Sequence, residues 1–315
     1  MNMLNCSFQT FHHARLAVAL AVMPIRPDVF WPYFSSAIFL VIGLTRIITG
    51  ELPQKHGLDK FGRLFYALPM GVFATQHFTN TKFVATIVPS WMPWHTFWVY
   101  LVGTAIIAAV LSILLDIHAR LAATLLGCMF LLFVVLMHIH NIVVTRGALL
   151  FWIIGLRDLA FSAGAFAVAA TQLKSTPADG APGLVNLGRC FVGIPAIVFG
   201  VLHFLHPTIA PGIPMEAITP AWIPGRLFWA YITGAALIAC GTCIVANKKV
   251  RLAATYLGIV TLLLGVFVYL PMIAANHSDV DSGLNNFVDI LAFSGTALVL
   301  ADAISERSSH EAGAR

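Results

Sequence analysis

Nine runs of about twenty mostly apolar residues constrain this chain more than any other feature. They are Val29–Gly50, Gly62–Asn80, His95–Leu115, Leu121–Val144, Ala148–Thr171, Gly188–His206, Arg226–Ala246, Leu252–Ala275 and Leu284–Ile304. Each is long enough to cross a hydrocarbon core about 30 Å thick as a helix. The runs are continuous rather than alternating, which excludes a membrane β-barrel. With 59% hydrophobic and 10% charged residues, the 315-residue chain could not coat a water-facing surface, which in a soluble domain needs about 25% charged residues. The expected fold class is therefore all-α, a polytopic integral membrane protein in the lipid bilayer.

The formal net charge of +5 does not point to nucleic acid, because the basic residues are scattered and follow topology. Lys55, Lys60, Arg63, Arg120, Lys174, Arg189, Lys248, Lys249, Arg251, Arg307 and Arg315 fall on one side, which should be cytoplasmic. Lys82, Arg146 and Arg226 fall on the other, with Arg15 and Arg26 near the amino end. Trp31, Trp91, Trp94, Trp98, Trp152, Trp222 and Trp229 all map near the opposite, outer interface, where indole rings prefer to sit. Leu16–Met23 resembles the apolar stretch of a signal peptide without a clear cleavage site, and a short interfacial helix fits it equally.

The sequence repeats itself. Phe61-Gly62-Arg63 returns as Leu187-Gly188-Arg189, Pro69 as Pro195 and His77-Phe78 as His203-Phe204. Pro89-Ser90-Trp91-Met92-Pro93 returns as Pro220-Ala221-Trp222-Ile223-Pro224, and Phe97-Trp98 as Phe228-Trp229. Arg120-Leu121-Ala122-Ala123-Thr124 is intact as Arg251-Leu252-Ala253-Ala254-Thr255, and Asp158 matches Asp289. One nearly constant offset across Trp, Pro, Arg and Asp marks a tandem duplication. Each copy holds four helices, so both should enter the membrane in the same direction, unlike an inverted repeat. The division expected is 1–58 with one extra amino-terminal helix, 59–178 for the first repeat, and 179–315 for the second with a short tail. Asp179, Gly180 and Pro182 mark the linker, expected with the carboxyl terminus in the cytoplasm.

The repeat unit resembles the DoxX-like family of small four-helix membrane proteins. The residues that carry the resemblance open the first helix with Gly-Arg and place His-Phe near its outer end. A Pro-x-Trp-x-Pro loop then leads into Phe-Trp-x-Tyr-x-x-Gly, and Arg-Leu-Ala-Ala-Thr opens the third helix. The resemblance covers about Asp59–Thr171 and Val185–Ala303. It implies a four-helix membrane unit of the bacterial inner membrane, in a family associated with membrane subunits of quinone-linked oxidoreductases. Fold transfers from it better than activity does.

Ionisable groups inside a bilayer cost at least ~2.5–3.5 kcal/mol at a helix centre, so each needs a reason. Asp158 and Arg157 lie near mid-membrane in the fourth helix, with Asp289 at the matching place in copy two and Val288 in place of Arg157. A His–Asp pair across helices in each repeat, His77 with Asp158 and His203 with Asp289, is the simplest way to satisfy both groups. Neighbours on a helix diverge by about 100°, so Arg157 and Asp158 are expected to serve different partners. Copy one carries Gln76, His77, His138, His140, Asn141, Arg157 and Asp158 where copy two has Leu202, His203, Tyr269, Pro271, Met272, Val288 and Asp289. The expectation is a pocket in the outer half of copy one, lined by Gln76, His77, Trp91, Trp94, His138, Arg157 and Asp158. His203 and Asp289 would then be structural counterparts in a scaffold copy. The competing explanations are polar glue between helices and drift after duplication.

Asn80–Trp94, with its prolines and tryptophans, could roof a site for a quinone headgroup or simply anchor the chain in the interface. His77 would bond a ligand carbonyl, Asp158 relay protons and Arg157 balance charge. His138 and His140 point to different sides, so no metal site is expected; a b-type haem would need His77 and one of the two. His12-His13 lie in the amino-terminal stretch and carry no reading. Cys240 and Cys243 stand one turn apart, a spacing that suits a redox dithiol but also small-residue helix packing. The leading expectation is a quinone- or small-apolar-ligand-binding membrane subunit of a redox system, with a membrane or periplasmic partner subunit or a homo-oligomer. The rivals are a non-catalytic assembly or chaperone-like protein and a small-solute carrier.

Overall fold

The computed structural model describes residues 26–51, 57–172, 181–207 and 224–313. The readings of Leu16–Met23, His12-His13, Arg15, Lys55, Lys174, Arg315, the linker residues Asp179 and Gly180, and Pro220 to Ile223 with Trp222 lie outside them.

The described residues are predominantly helical, with no strand among them. The helices are α1 (Pro27–Ile48), α2 (Gly62–Thr79), a short α3 (Thr81–Ile87), α4 (His95–Leu115), α5 (Ala119–Val144), α6 (Leu149–Thr171), α7 (Ala181–Leu205), α8 (Arg226–Val245), α9 (Val250–Ala275) and α10 (Asn286–Gly313). Among the described residues, eight helices are long and apolar enough to cross a membrane. The remaining long one is α2, the second of the nine expected runs. It packs in the interior, with Leu64, Tyr66, Met70 and Val72 fully buried. The protein is a multi-pass membrane protein.

Element for element, the two halves repeat: α2 and α7 at the offset that separates His77 from His203, and the later helices at the offset that separates Arg120 from Arg251. The α4–α5 turn uses left-handed residues at Asp116 (φ 59°) and His118 (φ 52°), and the α8–α9 turn does so at Asn247 (φ 57°) and Lys249 (φ 47°). Trp94 before α4 (φ 57°) corresponds to Gly225 before α8 (φ 67°), so copy two meets with glycine a conformation that a Cβ disfavours. One π-helical turn interrupts α5 at Val134–His138, and another interrupts α9 at Gly265–Tyr269. Phe78 stacks on Tyr100 at 5.7 Å, as Phe204 does on Tyr231 at 5.4 Å. At the α2–α4 crossing a Cβ on Gly103 would lie 2.7 Å from His77 Cβ; at the α7–α8 crossing a Cβ on Gly234 would lie 2.8 Å from His203 Cβ. Small residues let the backbones approach where lipid supplies no hydrophobic drive.

The two quartets form one body. Within each, helices neighbour in chain order: α2, α4, α5, α6 and then α7, α8, α9, α10. The ring closes between copies, because α6 packs along α7 and α10 packs along α2. The fourth helices α6 and α10 also cross each other and are the most enclosed, each 78% buried over its most apolar stretch against 39% or less for the other spans. At that crossing a Cβ on Gly295 would run into the Tyr66 backbone nitrogen, and one on Gly164 would meet Thr296 and Tyr66. Tyr66 donates its hydroxyl to the Phe161 carbonyl at 2.7 Å, tying the crossing together. The extra helix α1 leans on α2, with Phe39 set against Gly71. Outward-facing residues such as Leu101, Leu125, Leu132, Ile232 and Leu263 are large and apolar, as a lipid-facing surface requires.

Candidate functional site

The polar residues of both fourth helices meet where α6 and α10 cross. Asp158 is buried, and His138 Nε2 lies 2.8 Å from its Oδ2. The π-helical turn ending at His138 adds a residue to that turn of α5 and so sets the ring toward α6. Arg157 donates from Nε to Asp158 Oδ1 at 3.2 Å and from Nη1 to Asp289 Oδ2 at 3.3 Å. Its guanidinium also lies 5.9 Å from the centroid of Phe73 and 5.6 Å from that of Phe161, a cation–π arrangement. The chain His138–Asp158–Arg157–Asp289 thus crosses from the first repeat into the second. Two carboxyls face one guanidinium, and both His138 Nδ1 and Asp289 Oδ1 are buried without a partner.

This arrangement corrects the expected pairing. Asp158 takes His138, not His77, and no His203–Asp289 bond forms. His77 Nδ1 instead bonds the Phe73 carbonyl at 2.8 Å, one turn back in its own helix, and His203 Nδ1 bonds Phe199 in the same way at 2.7 Å. The local carbonyl satisfies each ring without a second helix. Arg157 and Asp158 do interact despite being adjacent: the side chain is long enough to fold along the helix, so the divergence of their Cβ atoms does not decide the matter.

A cavity of about 660 Å³ opens beside this chain, and it lies in the second repeat. Its walls come from α7 (Phe199, His203), α8 (Trp229, Thr233, Leu237), α9 (Val260, Thr261, Leu264, Phe267, Tyr269) and α10 (Asn286, Asp289, Phe293). Ile153 and Arg157 enter from α6 of the first repeat, and Pro224 from the loop before α8. This cavity lies in the copy expected to serve as the scaffold, not in the copy where a pocket was expected. The reason is bulk rather than polarity. Where copy two has Val260, Thr261 and Leu264, copy one has Met129, Phe130 and Phe133, and Ala292 stands against Phe161. Phe130 packs edge-on against Phe161 at 5.7 Å and against Phe133 at 5.9 Å, in the place where copy two is open.

Of the residues singled out in the sequence, Arg157 lines this cavity, and so do the two supposed counterparts, His203 and Asp289. Asp158 and His138 stand behind Arg157. Gln76 donates to Asn285 ahead of α10, a further tie between repeats. Trp91 and Trp94 are 59% and 78% exposed and lie off the cavity wall, and Trp98 donates its indole NH to the Pro93 carbonyl at 2.9 Å. His140 is exposed while His138 is buried, so the two do face apart. No group of three or more metal-ligating side chains occurs among the described residues. Cys240 and Cys243 are half-buried free thiols on α8. Sequence reasoning missed Tyr269, Thr261 and Phe293; of these only Thr261, standing where copy one has Phe130, carried a signal in its loss of bulk between copies.

At the other end of the molecule Arg63 holds Asp116 at 2.9 Å and Thr171 at 3.1 Å, while its counterpart Arg189 caps the Ile244 and Val245 carbonyls. Both arginines bind the turn after the second helix of their repeat, a structural duty that explains the Gly-Arg opening.

Among known families, the one described as Domain of unknown function (DUF8561) matches residues 66–149, which run from α2 to the start of α6 and include His77 and His138 but not Arg157 or Asp158. No curated protein and no solved structure matches the chain.

Proposed function

We propose that the chain is an inner-membrane protein that binds a flat, apolar molecule of the quinone class in the second-repeat cavity, as the membrane subunit of a redox system. The observation that carries this reading is an aromatic-walled cavity whose charged groups, Arg157 and Asp289, stand together on the α6 and α10 side. Phe199, Phe293, Trp229 and Phe267 offer faces to a ring. Arg157 and Asn286 supply donors for a carbonyl, and Asp289 accepts from the hydroxyl of the reduced form. The His138–Asp158 pair fixes the guanidinium from behind. Electrons would come from a partner subunit; this chain's own residues bind, orient and exchange protons with the ligand. The resemblance of each repeat to the DoxX-like family supports the redox setting, and the distribution of Lys and Arg supports a cytoplasmic linker and carboxyl terminus.

The test is extraction. Protein purified in mild detergent should yield, on solvent extraction and mass spectrometry, a lipid-soluble quinone or quinol near one per chain. Asp289→Asn should lower its occupancy by about tenfold, the loss of one hydrogen bond to a charged group. A preparation with no such compound, or equal occupancy in Asp289→Asn, contradicts the proposal.

A further inference from the structure

The cavity in the second repeat does not open toward either membrane surface alone; part of its wall is also part of the molecule's outer face. Ile232 (44% exposed), Leu263 (48%) and Phe267 (53%) line the cavity and at the same time face outward. Ile232 lies about 9 Å along α8 from Arg226, and Leu263 about 20 Å along α9 from Val250, at 1.5 Å per residue. Both positions fall within the hydrocarbon depth of a span. Between α8 and α9 the cavity wall and the outer face of the molecule thus share apolar side chains. The polar chain Arg157–Asp289 stands across the cavity, on the α6 and α10 side.

Copy one provides the internal comparison. The residues at the matching positions, Leu101, Leu132 and Leu136, are similarly exposed, but Phe130 and Phe133 fill the space behind them. An outward-facing apolar row is ordinary in a membrane; one with a cavity behind it is not.

Resting on the ligand reading above, we infer that the ligand enters sideways from the bilayer through a portal between α8 and α9 and carries a long apolar tail that remains there. The ring meets Arg157 and Asp289 at the far wall while the tail passes between Ile232, Leu263 and Phe267 into lipid. The head is neutral rather than a phosphate: two carboxyls around one guanidinium repel an anionic headgroup. A water-soluble ligand without a tail would gain nothing from a portal at this depth.

The experiment compares two probes in lipid nanodiscs, a tail-less benzoquinone and the same ring with a decyl tail, each titrated per mole fraction in lipid and read by quenching of tryptophan fluorescence. The native protein should bind the tailed probe at least about tenfold more tightly, since the tail packs against Ile232, Leu263 and Phe267 in a fixed arrangement that the tail-less ring leaves to mobile lipid. Ile232→Trp with Leu263→Trp, both tolerable on a lipid face, should collapse that ratio to within about twofold. A second pair in copy one, Leu101→Trp with Leu132→Trp, serves as the control and should leave the ratio intact. Equal binding of the two probes by the native protein overturns the inference while leaving the ligand reading standing. A ratio that survives the portal variant also overturns it. If neither probe binds the native protein, the ligand reading falls and this inference with it.

Discussion

Arg157 is the residue on which both repeats depend. It lies in copy one, neutralises Asp158 beside it and reaches Asp289 in copy two. Arg157→Leu leaves two buried carboxyls around an empty space, and removing one partner from a buried ionic cluster costs about 3–5 kcal/mol. Thermal unfolding in detergent should show a large drop in midpoint, and Asp289→Leu added to Arg157→Leu should recover part of it. His77 is the contrasting case. Its visible bond is to a carbonyl of its own helix, so His77→Ala should cost about 1 kcal/mol and leave ligand occupancy unchanged. His138→Ala should cost more, since it strips Asp158 of its nearest partner. The sequence made these residues legible as polar groups in apolar spans, because their expense there singles them out. It did not make their pairing legible. Which carboxyl a guanidinium reaches depends on rotamers and on the π-helical turn at Val134–His138, neither of which periodicity encodes.

At the scale of elements, the spans were readable because apolar length alone decides them; the observed helices match the expected bounds within a few residues, except that α7 begins earlier, at Ala181, and α10 runs on to Gly313. The π-helical turns were not, since a histidine or tyrosine at the end of Val134–His138 or Gly265–Tyr269 marks a polar position and not a change of helical pitch. Each adds a residue within its turn and so rotates the remainder of its helix by about 100°. Deleting Val266 should restore a regular α9 and swing Tyr269 off the cavity wall, with loss of bound ligand in a protein that still purifies as a folded species. The crossing of α6, α10 and α2 is as demanding. Gly295→Ala drives a Cβ against the Tyr66 backbone, whereas Gly183 of α7 has nothing within 4 Å of its added Cβ. Overpacking of this kind costs about 1–3 kcal/mol or more. The alanine at 295 should therefore lower the unfolding midpoint clearly, and Gly183→Ala should not.

For the whole molecule, duplication was legible and the division of labour was not. Comparing the copies by polarity pointed to copy one, where His138 and Arg157 lie. Comparing them by volume, Thr261 against Phe130 and Leu264 against Phe133, points to copy two. Both signals describe one arrangement: copy one supplies the charge and copy two the space. That sharing agrees with the exchange of neighbours, α6 along α7 and α10 along α2, which leaves neither quartet closed by itself. Two fragments, 1–178 and 179–315, should accordingly co-purify when expressed together and fail to accumulate when expressed singly. Independent folding of either fragment would count against the shared body.

The claim on which the account turns is that the open space of copy two is the ligand site. Thr261→Phe with Leu264→Phe gives copy two the side chains that copy one already accommodates at the matching places. Bound ligand measured by mass spectrometry beside the unfolding midpoint is the most direct measurement. The account predicts at least about a tenfold loss of ligand at a midpoint no lower than that of the ligand-free native protein. Native ligand occupancy in this folded variant would contradict it.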